Sequence, residues 1–476
     1  LGHGRVLLKK PSLCNGCPGF GDGTGYVPDL IRNNAPVCIV AQGPGEDEEA
    51  GRRYLGHDTY EEAPHEPLTG KTGRMMDQTF LGLAGLDRSE VSLGNAIRCR
   101  INHTNDFPIK KKATQEIVQF CTNAHRHLQP EGVKLYLAMG EGATYGLTKI
   151  LYDFNGWRGY LLPYAPLGTP RTPHTDVWTP GPGEIPVLVT HHLAYLFREP
   201  EASLPAKRDW NKVQSILDRT WPVPMSQIED TPPDFWPRYA AFDTEFTTDT
   251  HKRLVRYSLA TRDRRVWVVE AKDARGFTVQ PGTTVIMHNA PADLPYLKGL
   301  IDLSDVTIED SMYSHAVCWT GRVESETQKG KTGGAMSHAL NFLGSMYARI
   351  NRWKHLSDLA PRLYSGGDAI GTMDVWDTGL HGGIKGELAR DPQSAWVNEN
   401  LQKPLIPIIM RAMATGIATR PEAVAKALKD IVQTQANFVT QAQAYAGWPI
   451  NLRSPKQLAY WFYTVEGLKV RRRTYA

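Results

Sequence analysis

Four short apolar runs recur in the first 220 or so residues: PVCIVAQ from Pro36, VSLGNAI from Val91, KLYLAMG from Lys134 and PVLVTHH from Pro186. A stretch of helical spacing falls around Met75 to Leu83. Strands separated by helices predict a parallel sheet covered on both faces. From Trp221 to Trp236 the pattern lapses into four prolines and several acids, the mark of a linker. A second α/β unit starts at Tyr239 with YAAFDTEF, continues through RVWVVEA and TTVIMHNA, and turns helical from about Leu294. After about Lys385 the apolar positions keep helical spacing with no strand signal. The predicted division is therefore 1–222, a linker over 223–238, 239–384, and a helical segment over 385–476. The Pro/Gly/Thr-rich stretch from Pro166 to Pro186 reads as a surface loop.

Composition narrows this picture. A chain of 476 residues exceeds the size of one core, so several domains are expected. Hydrophobic residues make up 41% and charged ones 22%, and no run approaches the roughly 20 apolar residues that span a bilayer. A soluble, cytoplasmic protein without membrane partners is expected. The opening at Leu1 rather than a methionine suggests a trimmed or partly recorded sequence. The net charge of +4 permits nucleic-acid binding without demanding it. Of the six cysteines, Cys14, Cys17, Cys99 and Cys121 fall in the first quarter of the chain, a clustering that suits metal ligation. Cys38 and Cys318 sit in apolar stretches and read as small hydrophobes.

The sharpest chemical signal is Asp243-Thr244-Glu245 on an apolar strand, followed by Asp293 in HNAPADLPYL, then Tyr364 and Asp368 in YSGGDA. Residues two apart on a strand share a face, so Asp243 and Glu245 can converge on one cation. Two divalent ions need several hard oxygen ligands, and Asp293 and Asp368 would complete the set. Tyr364 stands one helical turn before Asp368 and would orient the attacking water. Asp310, in TIEDSMY, is a weaker extra acid that could equally cap the next helix. In order and spacing these residues resemble the three motifs of DnaQ-like 3′→5′ exonucleases, in the version with tyrosine in place of histidine, and Asn289 matches the second motif. That resemblance, over about Tyr239 to Leu380, implies a ribonuclease-H-like fold and two Mg²⁺ or Mn²⁺ ions.

The tail resembles the start of the polymerase region of family A DNA polymerases, in KPLIPIIMRAMATGIATRP and INLRSPKQLAYWFYTVEGLKV. The resemblance implies helices entering a thumb, where Lys456, Lys469 and the Arg471-Arg472-Arg473 run would meet DNA phosphates. Nothing follows Ala476 to make a palm or fingers, so this chain is not expected to polymerise by itself.

The first 200 residues carry AQGPGEDEEAGR, LTGKTGRMMD, LGNAIRCR, LAMGEGA, GWRGY and THHLAYLFREP, which resemble, in order, segments of family 4 uracil-DNA glycosylases. Four thiolates suit either zinc or an iron–sulfur cluster. The resemblance favours a structural [4Fe–4S] cluster on Cys14, Cys17, Cys99 and Cys121, within a three-layer α/β/α domain. By position Asn95 would read the uracil edge, His192 would donate to its oxygen, and Glu48 matches a family acid. Gln42 stands where the family has glutamate, Leu193 replaces the proline after the histidine, and Leu68 takes the place of a stacking phenylalanine. An alternative register puts Tyr54 in that stacking position. Losing a carboxylate beside a forming sugar cation removes electrostatic stabilisation, which leaves two readings open: excision of uracil, or recognition without cleavage.

Taken together, the resemblances imply the front part of a phage-type or bacterial family A DNA polymerase. It would carry metal-dependent 3′→5′ exonuclease activity, bind single-stranded and primer-template DNA, meet replisome proteins, and reside in a bacterial host's cytoplasm if phage-encoded. The alternative is a non-catalytic DNA-binding or assembly module of a replisome.

Overall fold

The four apolar runs all become strands. They are β1 (Val37–Ala41), β2 (Val91–Asn95), β3 (Leu135–Met139) and, following a short β4 (Leu161–Pro163), β5 (Pro186–Thr190). Every residue in these five strands is buried, as a sheet with two covered faces requires. The computed structural model describes residues 7–101, 108–125, 131–151, 153–165, 175–249, 252–319, 337–416, 418 and 420–467. Sheet order is β2-β1-β3-β5-β4, parallel except that β4 runs antiparallel to β5. The expected all-parallel sheet is thus a mixed one, because a three-residue edge strand in GYLLP is too short to leave a period. Helices α1 (Lys112–Ala124), α2 (Glu141–Thr148) and α3 (Ser203–Trp210) belong to this layer system. The helical pattern around Met75 extends from Lys71 to Leu83, with a π turn over Met76–Phe80.

A second sheet follows: β6 (Ile228–Glu229), β7 (Tyr239–Phe246), β8 (Leu254–Thr261), β9 (Val266–Glu270), β10 (Thr283–Met287) and β11 (Val306–Asp310). Its order is β6-β9-β8-β7-β10-β11. Strands β7, β8 and β9 are antiparallel neighbours, while β10 and β11 add in parallel beside β7. That order and those directions are the ribonuclease-H-like fold. Strand β11 was hidden in the sequence: on this edge strand Asp310 alone is buried, so no alternation betrays it. Helices α4 (Ala290–Leu297), α5 (Ser311–Cys318), α6 (Leu340–Tyr347) and α7 (Pro361–Met373) complete the module.

The proline-rich stretch between the sheets is packed down rather than free. Trp221 and Trp236 are each 3% exposed. The Trp221 indole donates to the Ala348 carbonyl at 2.9 Å, and Ile228 pairs with Val266 at the edge of the second sheet. One apolar core runs through both sheets, from Tyr136, Leu162 and Val187 to Ala241, Ala260 and Ile286, with Leu343, Met346 and Trp353 between them.

Polar groups seal the same junction. Arg158, 1% exposed, donates to Asp209 at 2.7 Å and to the Ser345 hydroxyl. Thr190 donates to the other Asp209 oxygen at 2.9 Å. The Asn351 side chain imitates a strand: it donates to the Leu161 and Trp178 carbonyls at 3.0 and 2.9 Å, and accepts from the Leu161 N–H at 2.9 Å.

The chain forms two compact units, Leu1–Pro407 and Ile408–Ala476. In the second, α8 (Pro421–Ala446) exposes Val424, Leu428, Ile431, Phe438 and Tyr445, while Ile450 and Trp461 are buried. Among the described residues no helix is long and apolar enough to cross a membrane.

Candidate functional site

Strand alternation does at β7 what the sequence promises. Asp243 and Glu245 leave the same face of the strand, and α7 brings Asp368 against them, so that oxygens of the three carboxylates lie within 4.8 Å of one another. Small residues make the approach possible. Gly367 and Gly371 lie against the Trp353 ring so closely that an added Cβ at either would sit 2.4 to 2.5 Å from it. The Trp353 indole in turn donates to Asp368 Oδ1 at 2.7 Å. Tyr364, one turn before Asp368, is half-buried on the same helix.

Asp293 is not brought into that group. Its Oδ1 accepts from the Thr244 N–H at 3.2 Å and the Thr244 hydroxyl at 2.5 Å, which ties α4 to the back of the same strand. Asp310 caps α5, accepting from Met312 and Tyr313 at 2.9 and 3.0 Å, and also accepts from Ala290 at 2.5 Å. Of its two sequence roles the structure realises the cap. Asn289 starts α4 in a left-handed conformation, φ 71°.

Burial and mutual repulsion perturb these acids. Burial, then Asp368 and Asp293, push Asp243 well above the usual carboxylate range. Burial and then Asp368 raise Glu245, and burial pushes Asp293 up to about 7. Carboxylates held together at such cost are a common arrangement for cations. The donor set is all oxygen, which suits Mg²⁺ or Mn²⁺.

Sequence reasoning missed Lys354. Its ammonium lies 2.6 Å from Asp368 Oδ1, donates to the Tyr364 hydroxyl at 3.0 Å, and stands 4.6 Å from that ring's centroid. No spacing rule links a lysine ten residues ahead of the tyrosine to the motif, and in the RINRWKHL segment Lys354 is one of three cations with nothing in the sequence to single it out.

The ends of β1, β2, β3 and β5 form a second concentration of predicted residues. Gln42 accepts from the Gly142 N–H at 3.1 Å, and Gly140, with φ 89°, leaves room between Gln42 and His192. His192 Nδ1 accepts from the Ala194 N–H at 3.2 Å, which leaves the proton on Nε2, and burial holds its pKa down to about 4. His192 is thus a neutral imidazole with a free N–H donor. Asn95, 1% exposed, has no hydrogen-bond partner for either amide atom among the described residues.

Glu48 is occupied differently. Its two oxygens accept from the Gly45 and Leu68 backbone at 3.0 and 2.8 Å, and burial pushes it up to about 7. Leu68 is 2% exposed inside the core, so its side chain offers no stacking face. Tyr54 is half-buried on the hairpin Arg52–Gly56 and Thr59–Glu62, edge-on to Tyr60 at 5.4 Å, with the Lys71 ammonium 5.1 Å from its centroid.

The four cysteines Cys14, Cys17, Cys99 and Cys121 line one pocket, together with Phe20, Phe120 and Ile117. Burial raises Cys14, Cys17 and Cys99, the last to about 12, and Cys121 adds to each shift. Thiols that resist one another's ionisation in a shared cavity fit a bound cationic centre. Among the described residues no three of them gather within 4.8 Å. Arg98 donates to Cys121 Sγ at 3.8 Å while paired with Asp29 at 2.6 Å. In the second unit Lys456 is exposed in the helix Pro455–Tyr460, and Arg471 lies outside the described residues.

Residues 28–218 match the family model of the Uracil DNA glycosylase superfamily. The comparison with curated proteins gives no match. Among solved structures, the chain is similar to the POL domain of Pol1 from M. smegmatis in complex with DNA primer-template and dNTP, at 16% identity and TM-score 0.31, over 48% of this chain and 37% of that one. It is similar to Brucella melitensis NrnC with bound Mg²⁺ at 15% identity and TM-score 0.29, over 40% and 91%. A mutant catalytic core of RRP6 from Trypanosoma brucei gives 17% identity and TM-score 0.27, over 35% and 46%. The chain therefore spans well under two thirds of the polymerase domain it matches, and similarities this remote leave its activity to be argued from its own residues.

Proposed function

We propose that this chain is the front part of a family A type DNA polymerase, carrying a metal-dependent 3′→5′ exonuclease and a uracil-recognising domain. The observation that carries the reading is the convergence of Asp243, Glu245 and Asp368 within 4.8 Å, with Tyr364 one turn from Asp368. These three carboxylates would hold the divalent ions, with Asp293 fixing the strand behind them. Two such ions supply a nucleophilic water at neutral pH and stabilise the departing 3′ oxygen. The protein's own groups position the reaction. Trp353 and Lys354 fix the Asp368 carboxylate, and the Tyr364 hydroxyl, held by Lys354, would orient the attacking water. Water attacks phosphorus, the bond to the 3′ oxygen breaks, that oxygen takes a proton, and a nucleoside 5′-monophosphate leaves.

The first domain supports recognition over excision. An unpartnered Asn95 amide and a neutral His192 N–H offer donors and an acceptor to a base edge, with the half-buried Tyr54 as the candidate stacking ring. Gln42 is uncharged, and both Glu48 oxygens are committed to backbone, so no free carboxylate remains among the predicted residues to stabilise a sugar cation. Cys14, Cys17, Cys99 and Cys121 would hold a [4Fe–4S] cluster as structural support.

A 5′-labelled single strand with one internal uracil separates these activities. Incubation in Mg²⁺ is expected to give a 3′-shortening ladder that Asp243→Ala with Glu245→Ala abolishes. Incubation in EDTA followed by hot alkali is expected to leave the uracil position intact. A ladder that survives the double substitution would refute the exonuclease site, and a break at uracil in EDTA would restore excision.

A further inference from the structure

Asp368 Oδ1 receives two donors at once, the Trp353 indole at 2.7 Å and the Lys354 ammonium at 2.6 Å. A lysine on a surface would sample many rotamers, but this one is 21% exposed and its ammonium is held by a carboxylate, a phenol and the face of a ring. The backbone on either side is also fixed. Asn351 is bonded to the edge strand β4, the Arg352 guanidinium stacks on Trp157 at 4.4 Å and pairs with Asp153, and Leu356 is buried in the core. The ammonium is thus a point charge built into the carboxylate group rather than a passing counterion.

Resting on the exonuclease reading, we propose that Lys354 is a resident cation of this site: it balances the charge of Asp368 in the metal-free protein, and divalent ions bind against its repulsion. The idea follows from charge balance. Carboxylates within 4.8 Å of each other, one of them buried, need a positive charge, and among the described residues the Lys354 ammonium directly contacts Asp368. A divalent ion bringing charge to the same oxygens meets like-charge repulsion from the ammonium. The consequence is a site that stays folded and ordered without metal, loads metal weakly, and has a cation beside Tyr364 and Asp368 where a DNA phosphate would enter.

The test is Mn²⁺ affinity of the full chain, read by electron paramagnetic resonance of free Mn²⁺, for the wild type, Lys354→Met and Lys354→Arg. Removing one elementary charge from beside a divalent ion is worth about tenfold in affinity even with strong screening. Lys354→Met is therefore expected to tighten Mn²⁺ binding by about tenfold while slowing digestion, and Lys354→Arg to stay close to wild type. Thermal melts in EDTA check that the variants fold; Lys354→Gln, which keeps a donor to Asp368, replaces Lys354→Met if that variant melts early. Unchanged or weaker Mn²⁺ binding in a folded, uncharged variant overturns the proposal and leaves the exonuclease reading standing. Absence of Mn²⁺ binding in the wild type as well overturns both.

Discussion

Asp293 illustrates how a single buried acid reports on the site around it. Its folded pKa, pushed up to about 7, lies above its ordinary value near 4. A raised acid contributes stability that is fully present below its unfolded pKa and lost as pH rises through the folded one. In EDTA, Asp293→Asn should therefore melt higher than wild type by an amount that grows between about pH 4 and pH 7 and then levels off, reaching about 1–3 kcal/mol. Parallel melting curves across that range would sink this account. Asn95 calls for a different experiment. Its amide has no partner among the described residues, so Asn95→Ala should cost little stability but weaken binding of a uracil-containing single strand about tenfold, measured by fluorescence anisotropy. At this scale the convergence of Asp243, Glu245 and Asp368 was legible from residue type and order. Lys354 and the commitment of Glu48 to backbone were not, because both depend on chain segments that meet only in three dimensions.

Helix α7 shows an element shaped by one neighbour. Tyr-Ser-Gly-Gly-Asp reads as a poor helix, since glycine costs up to about 1 kcal/mol in a helix interior. The glycines are nonetheless required, because Trp353 lies across them and reaches Asp368 from there. Gly367→Ala should improve intrinsic helicity yet destabilise the protein by about 1–3 kcal/mol through overpacking, and lower exonuclease turnover as the Asp368 carboxylate is displaced. A chemical melt alongside a nuclease assay checks both; a gain in stability would mean the indole has room to move. Strands β1, β2, β3 and β5 were visible as apolar runs because every residue in them is buried, and β7 because its YAAF start is mostly so. Strands β4 and β11 were not: β4 is only three residues long and β11 buries Asp310 alone, so neither leaves a run or an alternation.

Across the whole of Leu1–Pro407 the two sheets share one core and a buried polar seam, which the proline-rich stretch between them did not foretell. A composition rule for linkers sees prolines and acids, but not that Trp221 and Trp236 anchor both ends. The seam turns on the Arg158–Asp209 pair, 2.7 Å apart and nearly inaccessible to solvent. Removing one partner leaves the other charge stranded, so Arg158→Met should cost about 3–5 kcal/mol. Both sheets should lose stability together, giving one calorimetric transition for residues 1–407. Two separated transitions in the wild type would show that the sheets unfold independently.

The strand-like role of the Asn351 side chain has a consequence in time. Asn351 completes the hydrogen bonds of Leu161 from 190 positions further along the chain. A ribosome adding about 5–20 residues per second needs roughly 10–40 s to travel that distance. During synthesis the first sheet must therefore wait with a bare edge at β4, a nascent surface open to chaperones or to pairing with another emerging chain, until the segment that closes it has left the exit tunnel.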